Sequence, residues 1–61
     1  MKIIRFQQAH SDDYVYVNAE AISDFYQNHK DPGVVIRFIG GDCVCVIDKI
    51  EDIAVWLRNL R

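Results

Sequence analysis

The sequence holds little with which to do covalent chemistry. Its 61 residues include two cysteines, two histidines and one proline. A structural zinc site takes four ligands, usually from two short-spaced pairs, and Cys43-x-Cys45 has no second cysteine pair to complete one. His10 and His29 fall in polar stretches with no ligand spacing between them. No nucleophile motif is present. The Gly40-Gly41 doublet precedes a β-prone run, whereas a phosphate-binding loop opens a helix. Asp12, Asp13, Asp24, Glu51 and Asp52 are scattered, with no acid or base partner for any pair. The expectation is a protein that is not an enzyme, with no catalytic residue, metal or cofactor.

Other absences narrow the class further. No apolar run approaches the roughly 20 residues of a membrane-spanning helix. Arg5 interrupts the first residues too soon for the apolar core of a signal peptide. No membrane association is expected, and the cytoplasm is the expected compartment, where both thiols stay reduced. Seven Lys and Arg against nine Asp and Glu give a formal charge of −2, without the basic excess usual in nucleic-acid binders. There are no repeats, low-complexity tracts or linkers, so residues 1–61 read as one domain. A chain this short buries only about 60% of the surface its unfolded form exposes. An oligomeric interface is one common remedy for so small a core.

What is present reads as strands followed by a helix. Residues 2–6 and 14–17 are short β-prone runs, and residues 7–13 between them are polar and turn-rich. Residues 18–30 admit two readings. Ile22, Phe25 and Tyr26 have helical spacing, and Asn18 is a natural helix cap. Equally, residues 19–21 make a single turn, with a strand over residues 22–27. The turn and strand are favoured; the helix would give the order ββαββα. Residues 28–33, with Asp31-Pro32-Gly33, are a break. Residues 34–39 and 42–47 are the clearest strands, with Gly40-Gly41 as a two-residue hairpin loop. Asp48 and Glu51 have capping-box spacing. Ile50, Ile53, Ala54, Leu57 and Leu60 make one apolar stripe on a terminal helix, with Arg58 and Arg61 in its last turn. The fold expected is α+β: a small antiparallel sheet of four to five strands packed against one C-terminal amphipathic helix.

A two-residue loop fixes a register. Phe38 then faces Cys43, and Ile36 faces Cys45. Val34, Ile36, Phe38, Cys43, Cys45 and Ile47 share an apolar face, and side chains alternate between faces. Both cysteines are therefore expected inside, packing as small hydrophobes. A disulfide between them is not expected, because Cβ atoms two apart on a strand are roughly 6–7 Å apart and a bridge needs 3.5–4.5 Å. The view that the protein does no chemistry leans on those sulfurs pointing inward. Metal binding through Cys43 and Cys45, within one chain or across a dimer, is the reading left if they do not.

The same register exposes Val35, Ile39, Val44 and Val46 on the second face. With Val55 from the outer face of the helix and Trp56 from the edge of its stripe, they are the candidate partner interface, since so much exposed apolar surface is unusual on a small monomer. A homo-oligomer that also meets another protein is expected. The alternative is a nucleic-acid-binding or regulatory accessory protein using Lys2, Arg5, Arg37 and Lys49, with Tyr14 and Tyr16 for base stacking. Lys2 and Arg5 have opposite parity, so nucleic acid is the less expected partner.

One family shares these features. The pattern Val15-x-Val17-Asn18-Ala19-Glu20-x-Ile22, then Val35-Ile36-x-Phe38-x-Gly40-Gly41, then Val44-x-Val46 and a terminal amphipathic helix resembles the small flagellar and swarming-motility proteins of the FlbD type. The resemblance runs from Tyr14 onward. The chain departs from the family in its long, glycine-free loop at residues 7–13 and in Cys43-x-Cys45. The resemblance implies strands followed by a C-terminal helix, no catalytic residues and a non-enzymatic accessory role.

Overall fold

A computed structural model describes residues 2–30 and 33–60. Among these residues five strands are followed by one helix: β1 (Ile3–Gln7), β2 (Tyr14–Asn18), a 3-10 turn (Ala19–Ala21), β3 (Ile22–Gln27), β4 (Val34–Phe38), β5 (Cys43–Val46) and α1 (Ile50–Asn59). The class is α+β as expected, but the strands form two antiparallel sheets rather than one. β1 pairs with β2, and β3, β4 and β5 form the second sheet in that order. A seam joins the two sheets. Gln8 bridges Val46, the Ala9 N–H donates to the Cys45 carbonyl (2.9 Å), and the Ile47 N–H donates to the Gln7 carbonyl (3.0 Å).

The ambiguous middle segment is the turn and strand, not a helix. Asn18 Oδ1 accepts the Glu20 N–H at 3.1 Å and caps the single turn. Ile22, with φ −76 and ψ 124, then leads into β3. Tertiary pairing decides between the readings: β3 lies antiparallel to β4 along its whole length, with a bulge between Ile22 and Asp24. Asp31, Pro32 and Arg61, assigned above to the break and the last helical turn, lie outside the described residues.

The β4–β5 register departs from the expectation by one residue. Val34 faces Val46, Val35 faces Cys45, Ile36 faces Val44 and Arg37 faces Cys43. The loop holds three residues, Ile39, Gly40 and Gly41. It closes where the Gly41 N–H donates to the Phe38 carbonyl (3.1 Å) and the Phe38 N–H donates to the Asp42 carbonyl (2.8 Å). Gly40 (φ 110) and Gly41 (φ 103) both take the left-handed backbone that only glycine adopts cheaply. A slip of one residue turns every side chain of the strand over. Val44 and Val46 therefore face the core, and Cys43 and Cys45 face out.

The core is Phe6, Val17, Val34, Ile36, Val46 and Ile53, with Ile4, Val15, Ile22, Phe25, Phe38, Val44, Ile50 and Leu57 packed around it. Phe6, Ile36 and Ile53 are wholly buried, and each contributes about 1.5–3 kcal/mol relative to exposure. The stripe read on the helix turns inward at Ile50, Ile53 and Leu57. Trp56 covers the rim, with its ring centroid 6.1 Å from that of Phe6. The expected capping box is absent. Lys49 holds the N-cap position without a side-chain bond, and Asp48 Oδ2 instead accepts the Gln7 N–H at 3.2 Å. That bond ties the start of the helix to the end of β1.

Candidate functional site

The new register redistributes the candidate interface. Val46 is buried and Val44 packs against the core, so the outer face built from Val35, Val44 and Val46 does not form. Val35 stays on the outer face. Ile39 stands out at the hairpin tip, and Val55 and Trp56 are exposed on the helix. These four residues belong to three separate elements.

The outer face of the three-stranded sheet consists of Asp24 and Tyr26 from β3, Val35 and Arg37 from β4, and Cys43 and Cys45 from β5, by register. Arg37 dominates it. Its Nε donates to Asp24 Oδ1 at 2.6 Å, and its Nη2 pairs with Asp24 Oδ2. Its guanidinium also lies 5.9 Å from the centre of the Tyr26 ring. The side-chain hydrogen bond from Arg37 holds the Asp24 carboxyl below its usual range, against the pull of desolvation. The same bond raises the pKa of Arg37. This charge pair is satisfied within the face.

The sulfurs do not point inward. Cys43 is exposed and Cys45 half-buried. The buried-thiol support for a non-chemical protein is therefore lost, and any such reading must rest on other surfaces. Among the described residues no group of three or more His, Cys, Asp or Glu side chains is placed to hold a metal ion.

The outer face of the β1–β2 sheet is different in kind. Arg5 faces Tyr16 and Gln7 faces Tyr14 across the strands. The Arg5 guanidinium lies 4.6 Å from the centre of the Tyr14 ring. Tyr16 is 68% exposed, and Ile3 and Tyr14 are each 51% exposed. Among the described residues no carboxylate pairs with Arg5. Two tyrosines, an arginine and an isoleucine thus stand together on an open face. Tyr and Arg are the residue types most enriched where binding energy concentrates. The sequence reading took Tyr14 and Tyr16 only as possible stacking partners and missed Ile3. The strict alternation of Tyr14-Val15-Tyr16-Val17 was the available signal: it places both rings on one side and both valines on the other.

The basic residues named for nucleic acid are not brought together. Arg5 lies on the β1–β2 face, Arg37 is tied to Asp24 on the other sheet, and Lys49 precedes the helix. Lys2 lines a groove of about 660 Å³ whose apolar floor includes Ile22, Phe25, Leu57 and Leu60 and whose rim includes Arg58. No histidine or cysteine lines it. None of the described helices is long and apolar enough to cross a membrane. No family model matches the chain, and neither the curated proteins nor the solved structures contain a match to it.

Proposed function

We propose that the protein is a non-enzymatic interaction module that works as a small homo-oligomer in the cytoplasm and docks onto another protein. The observation that carries this reading is the open β1–β2 face, where Ile3, Tyr14 and Tyr16 surround an arginine with no carboxylate partner among the described residues. On a monomer this face leaves large apolar rings in water. In an assembly the rings supply contact area at low conformational cost, and Arg5 supplies hydrogen-bond donors. Val35, Ile39, Val55 and Trp56 are secondary contact points. The resemblance to FlbD-type motility proteins extends the proposal to an accessory role in that setting. Sedimentation velocity over a wide concentration range tests the oligomer. The expected result is a reversible rise in mass; a monomer at every concentration overturns it.

The Arg5–Tyr14 stack with Tyr16 beside it also favours a second reading, in which single-stranded nucleic acid stacks its bases on the rings. Fluorescence anisotropy with labelled DNA and RNA oligonucleotides at low salt separates the two. Binding that weakens steeply with added salt supports this second reading, and no binding removes it.

A further inference from the structure

The two ends of the sheets differ in what they offer another chain. Among the described residues β2 has only β1 beside it. The Gln8 N–H donates to the Asp13 carbonyl, and the Ala19 N–H donates to the Lys2 carbonyl. Residues 13 and 19 therefore direct their backbone groups toward β1. Hydrogen bonding alternates along an antiparallel strand, so Val15 and Val17 also bond to β1. Tyr14 and Tyr16 then turn N–H and C=O outward, and Asn18 turns its N–H outward. The edge is regular, since all five residues of β2 pair in register with β1 without a bulge. It carries no proline and no charged residue, the features by which exposed edges are usually protected.

We infer that β2 is the site where a second copy of this chain pairs, antiparallel and about a twofold axis at Tyr16. The inference rests on the homo-oligomer reading above and names its contact. The edge is self-complementary in that arrangement. Each Tyr16 exchanges its N–H and C=O with the Tyr16 opposite, and each Asn18 N–H meets the carbonyl of the opposite Tyr14. The product is a sheet in the order β1, β2, β2 of the partner, β1 of the partner. The outer faces become continuous, and the Tyr16 rings of the two copies lie side by side with Arg5 flanking each. This covers part of the most exposed aromatic ring of the chain through its cross-strand neighbour and satisfies backbone groups otherwise left to water. β3 is a poorer edge. By the same alternation only Phe25 and Gln27 turn outward, its bulge at Ser23 breaks the register, and Asp24 adds a charge.

Amide hydrogen exchange resolved by residue, followed from micromolar to millimolar protein, tests the inference. The amides of Tyr14, Tyr16 and Asn18 are expected to gain protection as dimer forms, while those of Phe25 and Gln27 do not change. Tyr16→Lys places two like charges directly opposite and is expected to raise the dissociation constant by about tenfold or more. Its fold is checked by the near-ultraviolet signal of Trp56. Tyr26→Lys is expected to leave the dissociation constant unchanged. A dimer that protects Phe25 and Gln27 instead, or that persists in Tyr16→Lys, overturns the β2 contact and leaves the homo-oligomer reading standing. A monomer throughout overturns both.

Discussion

β2 and β3 follow one another in the chain, separated only by the 3-10 turn, and each lies at the end of its sheet. Each also shares its outer face with an arginine stacked on a tyrosine: Arg5 on Tyr14, and Arg37 on Tyr26. There the likeness stops. β3 is bulged, and its arginine is held by Asp24. β2 is regular, and its arginine has no carboxylate partner among the described residues. Two strands consecutive in the chain thus differ in the regularity of their edges and in whether the arginine on their outer face is paired within the chain. A bulged edge beside a paired arginine has less to gain from a partner, and a regular edge beside an unpaired one has more.

The largest effect expected is loss of both edges together. Phe6 is wholly buried and belongs to β1, yet it packs with residues of β4, β5 and the helix. Phe6→Ala is expected to cost about 3–5 kcal/mol, a large share of the stability of so small a domain. Chemical denaturation followed by Trp56 fluorescence and by far-ultraviolet dichroism checks this. If the β1–β2 sheet melts separately from the rest, the two probes give different midpoints and the comparison must be drawn between two independent units.

A smaller effect is expected on the outer face of the β3–β5 sheet. Cys43 is exposed, so a thiol reagent at neutral pH should modify it in the folded protein nearly as fast as in denaturant, with Cys45 slower. Strong protection of both thiols would restore the two-residue loop and the inward register. Smaller still is the contribution of the Asp24–Arg37 pair, which lies in solvent and is screened there. The folded carboxyl is held below its usual value, so its stabilising contribution is present above the unfolded pKa of about 3.9. That contribution is lost as pH falls through the folded value. Asp24→Asn is therefore expected to be slightly less stable than the parent at neutral pH, with the gap closing as acid protonates the folded carboxyl. A gap that persists in acid would assign Asp24 a role other than its charge. The same variant should leave β3 no more able to pair with a second copy, because the bulge remains.

Much of the fold was legible in the sequence, for local reasons. Asn18 could cap only something short if a β-prone run began at Ile22, and the turn and strand both appear there. The stripe of the helix has a strong helical period. The β4–β5 register was not legible because β5 is apolar on both parities: Cys43, Cys45 and Ile47 alternate with Val44 and Val46. Alternation specifies register only when one face is polar. The diglycine fits a loop of two residues or of three, so loop length carried the decision, and the candidate interface built on the shorter loop moved with it. Asp48 misled for a related reason. Its spacing to Glu51 suits a cap, but the Gln7 N–H, distant in sequence, takes its carboxylate. The β1–β2 face needed no long-range information, and Tyr14 and Tyr16 stand where simple alternation puts them.

The 3-10 turn has one more consequence. Followed across the seam at Gln8 and Val46, the strands run β2, β1, β5, β4, β3, so the first and last strands of that row are joined by only three residues. The turn is fastened on either side, by the Ala19 N–H to the Lys2 carbonyl and by the Ile39 N–H to the Ala21 carbonyl. It behaves as the buckle of a belt. A strap this short keeps the joined ends of the two outermost strands close together, and a residue inserted there is expected to loosen both fastenings and let those ends move apart.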